Sequence, residues 1–448
     1  MTESQTISVM YKNSREAFID RKNTDIKQRL MYISQFLDIY KSKRNEIATS
    51  ISMEIGKPIT QSLADVDYDI WYIEWFLVNA ENILMDEIIY EDGNSRHIVK
   101  HNPIWVMAVI SPWNYPTSQR IREVIPTLIA GNTVIYKCSS SCIRTANILN
   151  QILESVLPKG IFGYIYGSSE LGDELIKWDC DGIIFTWSTK VWQHIAEVAA
   201  KGFKKTFLEL GGSAPAVICE DTVIDDDMMR SFDYYRRRHG WQICDGIKRV
   251  IIHSSKFDEF ITKMSTHLNA KYIWNPLDPQ TDIWPLVSDK QLQILQSQID
   301  DAISKWAKLH QFGKYDDTAW PYILPTLLTN ISLDMRVMTE ETFWPILPIY
   351  IYDSIEEAIQ IANSTIYGLG GYIWGSPNWE KSDKSDNPND IYKLIDWLNT
   401  WNISVNNANY LIPQVPFWWY TTSSGNTRAH SKIWLKELCK IKTISLAK

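Results

Sequence analysis

Between residues 14 and 86 apolar positions recur at helical spacing, with mixed charge on the opposite faces. Amphipathic helices are predicted over residues 26–40 and 47–53, and an aromatic-rich one over 70–85. Residues 88–99 are polar and partly alternating, and read as an extended arm. At Val106 the pattern changes to a continuous apolar run, VMAVI, the mark of a strand buried on both faces. A helix (118–130), a strand (133–136), a helix (144–157) and a strand (161–166) follow, then a helix ending at Lys177, a strand (182–185) and a helix (191–201). Strand alternating with helix is the rhythm of a doubly wound parallel sheet.

The alternation resumes later in the chain. A strand (249–253), a helix (257–268), a loop rich in Pro and Asp (275–287), a helix (290–309), strands (323–328 and 346–352) and a helix (355–363) predict a second α/β unit. The tail, 433–445, alternates weakly and reads as a partner for another sheet edge. No internal repeat or low-complexity linker interrupts the chain.

Composition narrows the class. The 448 residues suffice for two or three domains, and 45% hydrophobic with 22% charged residues is ordinary for a globular chain. A net charge of −8 speaks against a nucleic-acid partner. Six cysteines without a CxxC pair or metal-ligand spacing read as reduced intracellular thiols. The N-terminus lacks a signal pattern and no apolar run is long enough to span a membrane, so a cytoplasmic location is expected.

The chemistry is concentrated in residues 201–252. Glu209 stands just before Gly211-Gly212, and Cys244 ends the run Gln242-Ile243-Cys244. A carboxylate base and a thiol are the two parts of covalent catalysis at a carbonyl carbon. Upstream, Asn114 sits in SPWNYP, a turn fixed by two prolines after a strand, where an amide can donate to a developing oxyanion. Lys137 ends the next strand, in reach of ribose hydroxyls or phosphate. Residues 167–172, GSSELG, are a poor match to GxGxxG. Ser188 and Thr189 open a helix, an end that favours a phosphate.

Taken together the motifs resemble the aldehyde dehydrogenase superfamily, and the match runs over nearly the whole chain. In order they are SPWNYP (111–116), AGNTVIYK (130–137), FTxST (185–189), LELGG (208–212), QIC (242–244), PLDPQTDIxPL (276–286), EETFxP (340–345), YGLGG (367–371) and PF (416–417). The resemblance implies a Rossmann-type cofactor domain (1–83 with 104–211), an α/β catalytic domain (212–413) and a small β oligomerisation arm with the C-terminal tail (84–103 with 414–448), in a homodimer or homotetramer. It implies Cys244 as the nucleophile, Glu209 as the general base, and Asn114 with the Cys244 N–H as the oxyanion hole. Lys137 would hold the adenosine ribose, Ser188 the pyrophosphate and Glu341 the nicotinamide ribose, with Phe343 and Trp113 among the cofactor-facing residues. Ser140, three residues after Lys137, stands where NAD-preferring members often carry Glu, which points to NADP with NAD tolerated. Arg122, six residues after Pro116, matches an arginine of members resembling succinate-semialdehyde dehydrogenase and would grip a substrate carboxylate. The implied reaction is NAD(P)-dependent oxidation of a small-molecule aldehyde to the carboxylate. The alternatives are coenzyme A taking the acyl group, or a catalytically dead homologue.

One feature departs from that family. Tryptophan stands where it has glycine at positions 105, 187, 192, 241, 274, 284, 306, 320, 344, 401, 418, 419 and 434. Overpacking costs roughly 1–3 kcal/mol per site, so thirteen such changes are expected to exceed a stability of about 5–15 kcal/mol. Glycine is also scarce, 19 residues against 20 tryptophans. Both points are met if the gene comes from an organism that reads UGA as glycine.

Overall fold

The structure, a computed structural model, describes residues 3–21, 24–186, 189–237, 242–283, 285–313, 322–343, 345–376, 390–407, 411–418 and 428–448. Its first sheet has five parallel strands in the order Phe162–Ile165, Thr133–Lys137, Val106–Ile110, Gly182–Thr186, Lys205–Glu209. The apolar run that predicts the central strand is buried throughout, and its side chains split by the period-two rule. Met107 and Val109 join one core with the helices Ile26–Ser42, Arg44–Ile55 and Ile59–Ile83. Val106, Ala108 and Ile110 join the other with Ile7 and Tyr11 of the helix Glu3–Arg21.

A second sheet has seven strands in the order Lys308–Gln311, Thr326–Thr329, Ile346–Tyr352, Ile247–His253, Ala214–Ile218, Gly370–Trp374, Asn402–Val405. All its pairs are parallel except the first. The arm is the hairpin Glu87–Glu91 and Ser95–Pro103. The tail strand Cys439–Ala447 pairs with it antiparallel, from Cys439↔Pro103 to Ala447↔Ser95.

Three predicted elements are corrected. The first helix begins at Glu3, ahead of the predicted region. The tail is not one alternating segment: the helix Ser431–Glu437 precedes the strand. The helix predicted over 290–309 is Asp289–Ser304, followed by the strand Lys308–Gln311. Its end has a physical cause at Trp306. The Trp306 N–H donates to Ile303 O and the Ala307 N–H to Ala302 O, each at 3.0 Å, the paired bonds of a Schellman stop. That stop needs a left-handed residue, and Trp306 has φ 74°. Trp105, ahead of the central strand, has φ 132°. Glycine adopts such backbones without cost, which agrees with the glycine expectation at these two positions.

The overpacking penalty does not apply at four of the thirteen positions. Six of the thirteen tryptophans (187, 241, 284, 320, 344 and 419) lie outside the described residues. Trp105, Trp306 and Trp401 are 46%, 82% and 51% exposed and overpack nothing. Trp434 is buried but accommodated, packing edge-on to Phe207 and donating from Nε1 to Arg122 O at 3.0 Å. The strain at Trp306 is local and removable. Trp306→Gly is expected to raise the unfolding free energy by about 1 kcal/mol, because a non-glycine left-handed residue costs that much. Equal or lower stability of the variant in denaturant titration would refute the strain.

Candidate active site

Because the strands of the first sheet run parallel, their C-terminal ends share one edge, where α/β sheets bind ligands. Lys137, Thr186 and Glu209 are the last residues of three strands, and Ser111 follows a fourth. Beyond Lys137 lies a cleft of about 590 Å³ lined by Lys137, Ser139, Ser140, Gly167, Ser168, Ser169, Gly172, His194 and Lys290, among others. Hydroxyls, backbone and cations in a cleft of that size suit a phosphate-bearing dinucleotide. Lys137 is buried, and its ammonium is pushed below its ordinary range chiefly by that burial. Ser140 opens a short 3-10 turn at the exposed rim.

The second half of the site is drawn in by the glycine pair. A Cβ on Gly211 would stand 2.6 Å from Glu341 Oε2, and one on Gly212 would stand 2.4 Å from Cys244 O. At Gly212 the neighbour is backbone and only glycine permits the approach; at Gly211 it is the end of a side chain. Glu341 Oε1 accepts the Gly212 N–H at 3.1 Å, and its carboxyl is raised by burial against the opposing charge of Lys248. Phe343 stands edge-on to Trp113 at 5.9 Å, with Lys248 Nζ over its other neighbourhood at 4.6 Å from the ring centre.

Asn114 Nδ2 donates to Gln242 O at 2.8 Å, so the amide is fixed against the segment that ends in Cys244. Cys244 is half-buried, and burial, then Asp245, Glu341 and Glu209, push its thiol well up, with Arg122 opposing. Glu209 is also pushed well up, first by burial, against the pull of Arg122. Its Oε1 is buried and has no hydrogen-bond partner among the described residues. Arg122 lines a cavity of about 30 Å³ together with Cys244, Tyr68, Tyr115 and Phe417. Thus Cys244, Glu209, Asn114 and Arg122 converge from four separate stretches, Glu341, Phe343 and Trp113 stand beside them, and Lys137 and Ser140 line the adjoining cleft. Ser188 lies outside the described residues.

Sequence reading missed several neighbours. His430 holds Arg122, yet a lone histidine in a tail carries no signal. Ser168 and Ser169 lie in the motif scored as poor. Glu123 gives no cue beyond following Arg122, but it is buried, accepting from Ser111 Oγ at 2.5 Å and Thr186 Oγ1 at 2.6 Å. Burial lifts its carboxyl to about 7. A folded pKa raised above the unfolded one stabilises fully below the unfolded value, and that contribution is lost as pH rises through about 7. Glu123→Gln should therefore gain on the native chain between the ordinary glutamate range and pH 7, by roughly 3 kcal/mol in all. Denaturant titrations at several pH values check this, and a pH-independent difference would contradict it.

Two parallel-sheet units with a buried carboxylate and a thiol at their junction define the class: a nucleotide-cleft enzyme acting at a carbonyl. The model of the Aldehyde dehydrogenase family matches residues 1–444, and the chain belongs to that family. Among curated relatives it is 28% identical over 435 residues to "Succinate-semialdehyde dehydrogenase [NADP(+)]" of Mycobacterium avium (strain 104), covering 96% of this chain and 89% of the relative. It is 28% identical over 436 residues to the mitochondrial succinate-semialdehyde dehydrogenase of Mus musculus, covering 96% and 81%. Among solved structures, an aldehyde dehydrogenase from Brucella melitensis biovar abortus 2308 superposes with TM-score 0.91 at 27% identity, covering 99% of this chain and 90% of that one. Lactaldehyde dehydrogenase from Escherichia coli gives 0.91 at 26%, covering 99% and 91%. Among the described residues no helix is long and apolar enough to cross a membrane.

Proposed function

We propose that this chain oxidises an aldehyde bearing a carboxylate at its far end, of the size of succinate semialdehyde, to the diacid. The observation that carries the substrate class is Arg122. It is 8% exposed, makes no ion pair among the described residues, and lines the same cavity as Cys244. Glu209 acts on it only through space, and a buried guanidinium with no carboxylate hydrogen-bonded to it is costly unless a ligand supplies the anion. Two relatives named for succinate semialdehyde support the reading.

In this mechanism the Cys244 thiolate attacks the aldehyde carbon, forming a C–S bond and an oxyanion. The second N–H of Asn114 Nδ2 and the Cys244 N–H stabilise that oxyanion. The cofactor is NAD(P), which when bound in the cleft accepts the two electrons and hydrogen that leave the carbon. Cys244 is left as a thioester. Glu209, which lines a small cavity beside Arg122, takes a proton from water as the water oxygen bonds to the acyl carbon and the C–S pair returns to sulfur. Lys137 would hold one ribose, Glu341 the other and Ser188 the pyrophosphate. Ser140 puts no acid against a 2′-phosphate, so NADP is the preferred form. The hairpin–tail sheet, with Ile88, Ile89, Tyr90 and Ile441 exposed, is the face for a homodimer or homotetramer, and the setting is the cytoplasm.

The test compares kcat/KM for succinate semialdehyde and butanal. A preference of about 10- to 100-fold for the acid is expected, with Arg122→Met abolishing it, since a hydrogen-bonded charge is worth that much. Equal use of both aldehydes by the unaltered enzyme would sink the reading.

A further inference from the structure

Arg122 sits at the Cys244 cavity in an unusual setting. Its Nε donates to Ser118 O at 3.2 Å, within its own helix Ser118–Ile129. Its Nη1 meets His430 Nε2 at 3.1 Å, across 308 residues of chain. A guanidinium nitrogen only donates, so His430 Nε2 must accept, and the ring is neutral with its proton on Nδ1. Burial and Arg122 itself keep His430 neutral, holding it well below the usual histidine range.

His430 is in turn locked. It is fully buried, edge-on to Tyr72 at 5.3 Å and to Phe417 at 5.8 Å. The Arg122 carbonyl is also pinned, accepting from Trp434 Nε1. Two of the guanidinium's three nitrogens are thus fixed by neutral acceptors. A carboxylate holder would orient the same group but cancel its charge. A neutral imidazole orients it and adds no negative charge of its own, so that Glu209 acts on it only through space, with Nη2 unclaimed by any hydrogen bond among the described residues.

We propose that His430 is a specificity-determining positioning residue: as a neutral holder it keeps Arg122 aimed without cancelling its charge, so that the Cys244 cavity selects an aldehyde with a distal anion. This rests on the carboxylate reading of Arg122 given above. It adds that the charge state of the holder, not the arginine alone, sets the selectivity.

The test uses kcat and KM for succinate semialdehyde and for butanal at saturating NADP, in the full-length enzyme. His430→Gln keeps a neutral acceptor and should hold the preference within about threefold, as one exchanged hydrogen bond allows. His430→Glu supplies a compensating charge and should lower kcat/KM for the semialdehyde by about 10- to 100-fold while leaving butanal nearly unchanged. His430→Ala frees Arg122 without adding charge. It should raise KM for the semialdehyde about fivefold or more with kcat retained, the signature of lost uniform binding. If the Glu variant keeps the preference, or if all three variants depress both aldehydes alike, His430 is a packing residue and the proposal is wrong. Failure of the carboxylate reading itself is seen separately, as no preference in the unaltered enzyme.

Discussion

Cys244→Ala is expected to lower kcat/KM for aldehyde oxidation by at least about a thousandfold, because the covalent route disappears with the nucleophile. The substitution removes one sulfur from a half-buried position and leaves the Asn114 bond to Gln242 O in place. NADP binding, followed by quenching of protein fluorescence, should therefore persist. Loss of turnover with binding retained separates a chemical role from a folding one. A variant that still oxidises aldehyde at a tenth of the original rate would remove Cys244 from the mechanism. The native thiol should also show a rate that climbs with pH, since burial and three neighbouring acids push Cys244 up against the pull of Arg122.

Glu209→Gln divides the reaction at a different point. Acyl transfer to Cys244 needs the thiolate and a hydride acceptor, whereas release needs a base for water. The expected result is a burst of reduced cofactor close to one per active site, then turnover slowed by about 10²- to 10⁴-fold, the usual share of a general base. A burst abolished along with turnover would instead make Glu209 the base for the thiol. Glutamine preserves the shape of the side chain, and Glu209 Oε1 makes no hydrogen bond among the described residues, so little stability should be lost.

How much of this was visible in the residues depends on the physics of each part. The strands were legible because continuous apolar runs leave little choice, and Val106–Ile110, buried throughout, and Ile346–Tyr352, buried over its first four residues, fall as the pattern predicts. Part of the candidate site was legible because Lys137 and Glu209 each end a strand, and Asn114 and Glu209 stand beside prolines or glycines that restrict the backbone. Gly212 against Cys244 O shows how tightly such a motif is tied to a residue far along the chain. The Glu3–Arg21 helix was not legible before residue 14, since Ile7 and Tyr11 acquire meaning only from the sheet face they cover. His430 was beyond reach for the same reason: its partner is 308 residues away, and no local pattern announces a neutral acceptor for a buried arginine.

The tryptophans divide the same way. Trp306 occupies a helix stop and Trp105 a backbone at φ 132°, both conformations that belong to glycine. Trp434 sits at neither, and its indole is used, donating to the carbonyl of Arg122. Sequence comparison alone treated all three alike; backbone geometry distinguishes them.

The central claim is that the substrate carbon passes through a covalent bond to Cys244. The direct measurement is mass spectrometry of the Glu209→Gln enzyme, mixed with succinate semialdehyde and NADP and quenched in acid. The account predicts a succinyl group on the peptide that contains Cys244, formed in step with the burst of reduced cofactor. Reduced cofactor appearing while that peptide stays unmodified would contradict it.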